Sequence, residues 1–334
     1  MGNAAIDVLG IGNAIVDVIA HADEDFLTRH GMSKGAMMLV DEAQSDLIYS
    51  GMGPGIESSG GSAANTIAGV ASFGGGTAFI GKVRDDELGK IFAHDLRALG
   101  VQFDTPAATD GPSTARCLIL VTEDAQRTMN TYLGACVELK PDDIDEALVA
   151  AAEITYLEGY LFDPPLAKEA FRKAATIARN AGRKVALTLS DSFCVERYKE
   201  EFRALIADHV DIVFANEAEA RALYDTDDVE AAAKELARHA GIAAVTRSAA
   251  GSMLLRGEEL VRIPAAPVEE VVDTTGAGDL YAAGVLFGLS RGRPLAECGR
   301  LGSVAAAEII SHVGARPMVS LKELANGVSA SAAA

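Results

Sequence analysis

Residues 271–289 read VVDTTGAGDLYAAGVLFGL, and how this stretch is read decides the fold. A strand-like apolar pair, Val271-Val272, runs into Asp273-Thr274-Thr275. Gly276-Ala277-Gly278 follows, and Asp279 opens a long helical pattern. Glycines without a Cβ let successive backbone N–H groups converge on one point. A helix N-terminus adds partial positive charge, so an anion fits there. Asp279 falls in the first helical turn and has two readings. It complements the helix dipole beside a flexible turn, or it takes a proton from a hydroxyl beside an anion cradle. General-base positioning of that kind is worth roughly 10²–10⁴-fold in rate. The cradle would stabilise charge on a transferring phosphoryl group. On local grounds the two readings stand level, because short glycine motifs recur by chance.

Working outward, apolar runs rich in Val, Ile and Leu alternate with helical patterns. Strands are expected at Ile6–Ile11, Thr77–Val83, Ile154–Leu157, Lys184–Leu189, Asp211–Ala215 and Ile242–Thr246, with a further strand before Asp273. Helices are expected at Ser62–Phe73, Asp86–Leu99, Leu166–Ala181, Cys194–Ala207, Glu217–Tyr224 and Val229–His239. Repeated β-α units with short links predict an α/β fold: a three-layer α/β/α sandwich around a mostly parallel central sheet. Residues 252–263 fit antiparallel strands at the sheet edge. Two segments break the rhythm, Ala14–Val40 and Thr114–Leu133, the second reading as two strands joined near Glu123–Gln126. They predict a small β-sheet lid drawn from about residues 14–50 and 105–135. One α/β domain over residues 1–326 and a flexible small-residue tail over 327–334 complete the expected organisation.

The chain has 334 residues, 49% of them hydrophobic and 23% charged, with a formal net charge of −19. That excludes long-range attraction of nucleic acid or an anionic membrane. Phosphates would have to be held by local amides, a metal ion or a few basic side chains. No run approaches the ~18 apolar residues of a membrane span, and MGNAAIDVLGIG reads as a strand, without the basic start of a signal peptide. Cys117, Cys136, Cys194 and Cys298 lack C-x-x-C spacing and sit in apolar stretches, as buried thiols of a cytoplasmic protein do. The six histidines show no H-E-x-x-H, so a zinc enzyme is not indicated. Gly76–Val83 nearly matches a P-loop, but Val83 stands where the magnesium-binding hydroxyl belongs and the residues between read as a strand. Gly276-Ala277-Gly278 also fails the dinucleotide pattern, because Tyr281 replaces the third glycine.

The context tips the balance. Asp273-Thr274-Thr275-Gly276-Ala277-Gly278-Asp279 resembles the C-terminal signature of the ribokinase-like (PfkB) family of carbohydrate and nucleoside kinases. Gly60-Gly61-Ser62-Ala63-Ala64-Asn65 resembles that family's N-terminal Gly-Gly-x-x-x-Asn motif, and Phe79–Gly89 its F-I-G-x-V-G-x-D-x-x-G segment, with Arg84 in place of a glycine. Asn216-Glu217-Ala218-Glu219 is similar to its N-x-x-E motif. The motifs follow the family order from residue 10 to 315.

The resemblance implies an ATP- and Mg²⁺-dependent kinase with Asp279 as catalytic base and the amides of Gly276, Ala277 and Gly278 as anion hole. Asn216 and Glu219 would act on magnesium and the ATP phosphates, Glu219 through water. Asn216 also reads as a helix N-cap. Thr246, Ser248 and Gly251 would contact nucleotide, Ser248 standing in for the usual glycine. Asp273 and Thr275 resemble the family's monovalent-cation site, which holds K⁺ in some members, and Thr275 would also lie against the nucleotide. The spacing Gly12-Asn13-x-x-x-Asp17 is similar to that of the adenosine kinases, which implies Asn13, Asp17, Gly60, Gly61, Ser62 and Asn65 around a ribose, with Gly60-Gly61 as the lid hinge. Tyr160, Leu161, Phe162, Met38, Leu133 and Cys136 would wall the base or pack as ordinary core. Arg116 and Arg127 lie on lid strands and read equally well as solvated edge charges. The implied partners are ATP and a small nucleoside or sugar, and the implied assembly is a monomer or homodimer. A fructokinase- or ribokinase-type sugar kinase, and a non-catalytic sensor on the same fold, stay open.

Overall fold

A computed structural model describes residues 6–124 and 126–331. Nine strands form the larger sheet: β1 (Ile6–Ile11), β5 (Thr77–Ile80), β6 (Val101–Gln102), β9 (Ala152–Glu158), β10 (Lys184–Thr188), β11 (Ile212–Asn216), β12 (Ile242–Thr246), β13 (Ser252–Arg256) and β14 (Glu259–Ile263). Their order is β14-β13-β12-β11-β10-β9-β1-β5-β6. All neighbours run parallel except the β12–β13 and β13–β14 pairs, which make the expected antiparallel edge. Parallel strands must be covered on both faces. Helices Ser62–Ser72, Glu87–Ala98, Ala277–Ser290 and Leu295–Ile309 pack one face, and Pro165–Asn180, Ser192–His209, Glu217–Tyr224 and Val229–Ala240 the other. The α/β/α sandwich read from the sequence is the observed fold.

The lid is a second sheet of five strands in the order β3-β8-β7-β2-β4, from β2 (Ile15–His21), β3 (Met37–Leu39), β4 (Gly55–Gly60), β7 (Ala115–Val121) and β8 (Arg127–Tyr132). Alternation along β2 sends Val16, Val18 and Ala20 into the core and leaves Asp17 on the opposite face. Strand β4 lies outside the segments assigned to the lid. Its GIESSG sequence lacks the apolar alternation that marks a strand, and it forms by pairing antiparallel with β2. The lid joins the core at Gly60-Gly61. Gly61 has φ +93, and a Cβ there would lie 2.3 Å from the Asn13 carbonyl oxygen. A Cβ on Gly60 would lie 2.4 Å from the Asp17 carboxyl.

Three further expectations change. Val271 and Val272 form no strand. They lie exposed in the loop that crosses from the finished sheet edge at β14 to the helix Ala277–Ser290. Helix Leu295–Ile309, unassigned in the sequence reading, packs so closely on Ala277–Ser290 that a Cβ on Gly284 would lie 2.4 Å from the Gly302 nitrogen. The chain read as tail from 327 is helical as far as Ser331, and residues 332–334 lie outside the described residues. No helix among the described residues is long and apolar enough to cross a membrane.

Lys82, from the rejected P-loop, is buried and bonds Asp143 at 2.6 Å. Asp143→Asn leaves that ammonium without a counter-charge, and denaturant unfolding should show a loss of about 3–5 kcal/mol. A phosphate-binding lysine would register this substitution on nucleotide affinity with stability unchanged.

Candidate active site

The site lies where the parallel strands end. Asn13 follows β1, Glu158 ends β9, Thr188 ends β10, Asn216 ends β11 and Thr246 ends β12. Carboxyl ends of open parallel sheets are where ligands of such folds bind. Helix Ala277–Ser290 starts among them, capped by Gly276 in the left-handed region at φ +78. The Ala277 N–H turns back to the Thr274 carbonyl at 3.2 Å, whereas the N–H groups of Gly276 and Gly278 donate to no backbone carbonyl among the described residues. A Cβ on Gly278 would meet nothing within 4 Å, so packing does not demand glycine there. Gly278 borders a cavity of about 400 Å³ lined by Ser62, Asn216, Glu219 and Asp279, and a second of about 510 Å³ lined by Ser248, Gly251, Val268 and Val271. The two exposed valines missing from the sheet thus border the second cavity through Val271. Thr246 lines both cavities, and Thr275 lines the first.

Asp279 is half-buried, and its carboxylate accepts Ser62 Oγ at 2.6 Å and Asn65 Nδ2 at 2.9 Å. Burial raises its pKa from the ordinary carboxyl value, against those two hydrogen bonds and the charge of Arg316. Ser62 and Asn65, expected on the acceptor, both donate to Asp279. Asn13 donates from N and Nδ2 to Glu158 at 3.3 and 2.7 Å, and the Ala63 N–H donates to the same carboxylate at 2.8 Å. Burial pushes Glu158 up to about 7, countered by those donors and aided by the charge of Asp279. The sequence reading missed Glu158. An acid closing an otherwise apolar core strand, EITYLE, was the available signal. Asp17 is pushed up to about 6 by burial, against the charges of Arg316 and Arg127 and with that of Asp279.

Asn216 caps the helix Glu217–Tyr224 and forms a capping box with Glu219, donating to it at 2.9 Å from N and 2.5 Å from Nδ2. Burial pushes Glu219 up to about 7. Among the described residues no group of three or more His, Cys, Asp or Glu is placed to hold a metal. Magnesium keeps several waters and binds through one or two carboxylates plus substrate phosphates, so a single acid such as Glu219 at the first cavity is a donor set it accepts. Glu219 and Asn216 are the residues that would face it.

The potassium reading fits less well. Asp273 Oδ1 accepts Thr275 N and Oγ1 at 3.0 and 2.8 Å, and Oδ2 accepts Gly314 N at 3.1 Å and pairs with Arg127 at 2.6 Å. Four donors satisfy this carboxylate without a cation. The Arg127 side chain is thus 9% exposed against the loop before Gly276, and Arg116 is buried and donates to Ser45 Oγ at 2.6 Å; neither is a solvated edge charge. Leu161 and Phe162 pack in the core, Phe162 stacked on Phe202, while Tyr160 is half-exposed at the first cavity.

Open amides at a helix N-terminus, a positioned carboxylate and an α/β/α core with a smaller second sheet meet at the carboxyl ends of the parallel strands. Residues 56–322 match the pfkB family of carbohydrate kinases, and the chain belongs to that family. It is similar to an adenosine kinase from Sinorhizobium meliloti, with 57% identity, coverage of 97% of this chain and 99% of that one, and a TM-score of 0.89. A probable sugar kinase protein from Rhizobium etli gives 52% identity, coverage of 98% and 99%, and a TM-score of 0.90. The adenosine kinase of Saccharomyces cerevisiae is 26% identical over 326 residues, 91% of this chain and 94% of that protein. The chain is an adenosine-kinase-like phosphotransferase that acts on a hydroxyl group of a nucleoside or sugar.

Glycine substitutions separate cradle from scaffold. Gly276→Ala should lower the melting temperature, because φ is positive and Ala315 lies 3.0 Å from the added methyl. Gly278→Ala should melt like wild type yet bind ATP more weakly in calorimetry. Glu158 and Glu219 hold protons when folded up to about 7 against an ordinary 4.5. The folded state therefore binds more protons than the unfolded one across that window. Stability of the ligand-free protein should fall as pH rises from about 5 to about 8, and Glu219→Gln should flatten the fall in a pH series of thermal melts.

Proposed function

We propose that this protein transfers the γ-phosphoryl group of ATP to the primary hydroxyl of a nucleoside ribose, converting adenosine to AMP. The observation that carries the reading is Asp279: a carboxylate raised in proton affinity by burial, oriented by Ser62 and Asn65, one residue beyond the open amide of Gly278. Asp279 takes the proton as the hydroxyl oxygen attacks the γ-phosphorus. The amides of Gly276 and Gly278 and the helix start stabilise charge on the transferring group. The Ala277 amide joins them only on release from Thr274. Magnesium, when bound with ATP, supplies positive charge to the phosphate oxygens. Asn216 and Glu219 are the residues that would hold it, through water, and Thr246, Ser248, Gly251 and Thr275 line the nucleotide's side. Asp17 and Asn13 hold ribose hydroxyls under the lid, and closure about Gly60-Gly61 keeps water from the phosphoryl group.

Support comes from the likeness along nearly the whole chain to proteins described as adenosine kinases. The likeness to the Rhizobium etli protein favours the second reading, a free-sugar acceptor. An intact Asp279 beside open amides favours either kinase over a non-catalytic sensor.

ADP release should be measured with adenosine, inosine, ribose and fructose. Adenosine should turn over fastest, and Asp279→Asn should lower kcat by at least ~10²-fold with ATP affinity kept. No turnover with any nucleoside removes the adenosine reading, and near-normal turnover of the variant removes Asp279 as base.

A further inference from the structure

Arg316 has no role in the mechanism above, yet its surroundings point at the acceptor. It follows Gly314 and Ala315, which are seated on the base's own loop. The Gly314 N–H bonds Asp273, and Ala315 packs against Gly276. From there Nη2 donates to Ser59 O at 2.7 Å and Ser59 Oγ at 2.9 Å, on lid strand β4. Ser59 is itself fixed, its N and Oγ donating to Asp95 at 2.7 and 2.6 Å. The next residue along β4 is Gly60, on which the Asp17 carboxyl rests. The guanidinium is thereby held between the acid of the lid and the base of the core.

Its remaining nitrogens, Nε and Nη1, are shut off from solvent and donate to nothing among the described residues. Burying cationic donors unpaired is costly, so such groups are expected to meet a partner. Two acceptor atoms on the site's acids share that condition: Oδ1 of Asn65, whose amide bonds Asp279, and Oδ1 of Asn13, whose amide bonds Glu158. A site that leaves both donors and acceptors unpaired matches hydroxyl groups, each of which both donates and accepts. Charge narrows the class further. Arg316 feels three carboxylates, Asp17, Asp95 and Asp279, while the neighbouring Arg127 is taken by Asp273. The local balance is negative, which disfavours an acidic acceptor.

We propose that Arg316 is a specificity-determining residue that donates Nε and Nη1 to oxygens of a neutral polyhydroxy acceptor whose hydroxyls bond Asp17. This rests on the acceptor site of the kinase reading and adds a residue and a charge rule to it.

The test is calorimetric binding of adenosine, ribose and gluconate to wild type, Arg316→Lys and Arg316→Gln, with steady-state kinetics alongside. Arg316→Gln should weaken adenosine or ribose binding about 10- to 100-fold and raise the acceptor KM, with the ATP KM within about twofold. Arg316→Lys should recover part of the loss. Arg316, Arg127 and Asp279 all act on Asp17, whose own charge helps keep the neighbouring Cys117 thiol protonated. Losing the Arg316 charge should therefore move the acidic limb of kcat/KM to higher pH. Unchanged acceptor affinity and an unchanged limb, with only a lower melting temperature, would overturn the proposal and leave Arg316 as a strut to β4. Gluconate binding wild type more tightly than ribose would overturn the charge rule. Wild-type protein that binds and phosphorylates neither adenosine nor any sugar would instead bring down the kinase reading on which the proposal stands.

Discussion

The site depends on one constraint: a carboxylate must stay oriented and eager for a proton in a place already crowded with acids. Asp279 meets it through Ser62 and Asn65, both on the first turn of the helix Ser62–Ser72. Those two bonds tie that helix to Ala277–Ser290 at their N-terminal ends, where both present positive partial charge. Further along, Gly69 lets the two helices touch, since a Cβ there would lie 2.6 Å from that of Ala283. Packing and chemistry share this contact. A shift of either helix would move the base and the amides together.

The acids around it divide the work by environment. Glu158 is buried under three donors and braces Asn13 and Ala63. Glu219 is consumed by the capping box of Asn216. Asp17 rides on the lid and reaches the core only across Gly60. Any change in the position of its strand, β2, therefore moves a charge relative to Asp279, which couples the ionisation of the two acids. Arg127 and Arg316 bridge the same gap from opposite sides, one from the lid to Asp273 and one from the core to Ser59.

Much of this was visible in the chain before any coordinates. Runs such as DIVFA and IAAVT followed by helical patterns specify parallel strands, because sheets covered on both faces require apolar residues throughout. Helix Glu217–Tyr224 and strand Ile242–Thr246 match their expected bounds. What stayed hidden depended on partners distant in sequence. GIESSG becomes a strand only beside β2, and Val271-Val272 stays out of the sheet because β14 already closes that edge. Lys82 lost its decoy role to Asp143, 61 residues away. Asp273 looks like a cation ligand until Arg127 arrives from 146 residues upstream, by subtraction of their numbers. Arg316 carries no motif at all, and only its orphaned nitrogens mark it.

Phosphorus NMR of the purified protein with MgATP and adenosine tests the central claim most directly, with 5′-deoxyadenosine as the partner experiment. Loss of the γ-phosphate signal should be matched by one new phosphomonoester with adenosine, and no phosphomonoester should form with the analogue that lacks the hydroxyl. Inorganic phosphate in place of the ester, or the same ester from both compounds, would contradict it.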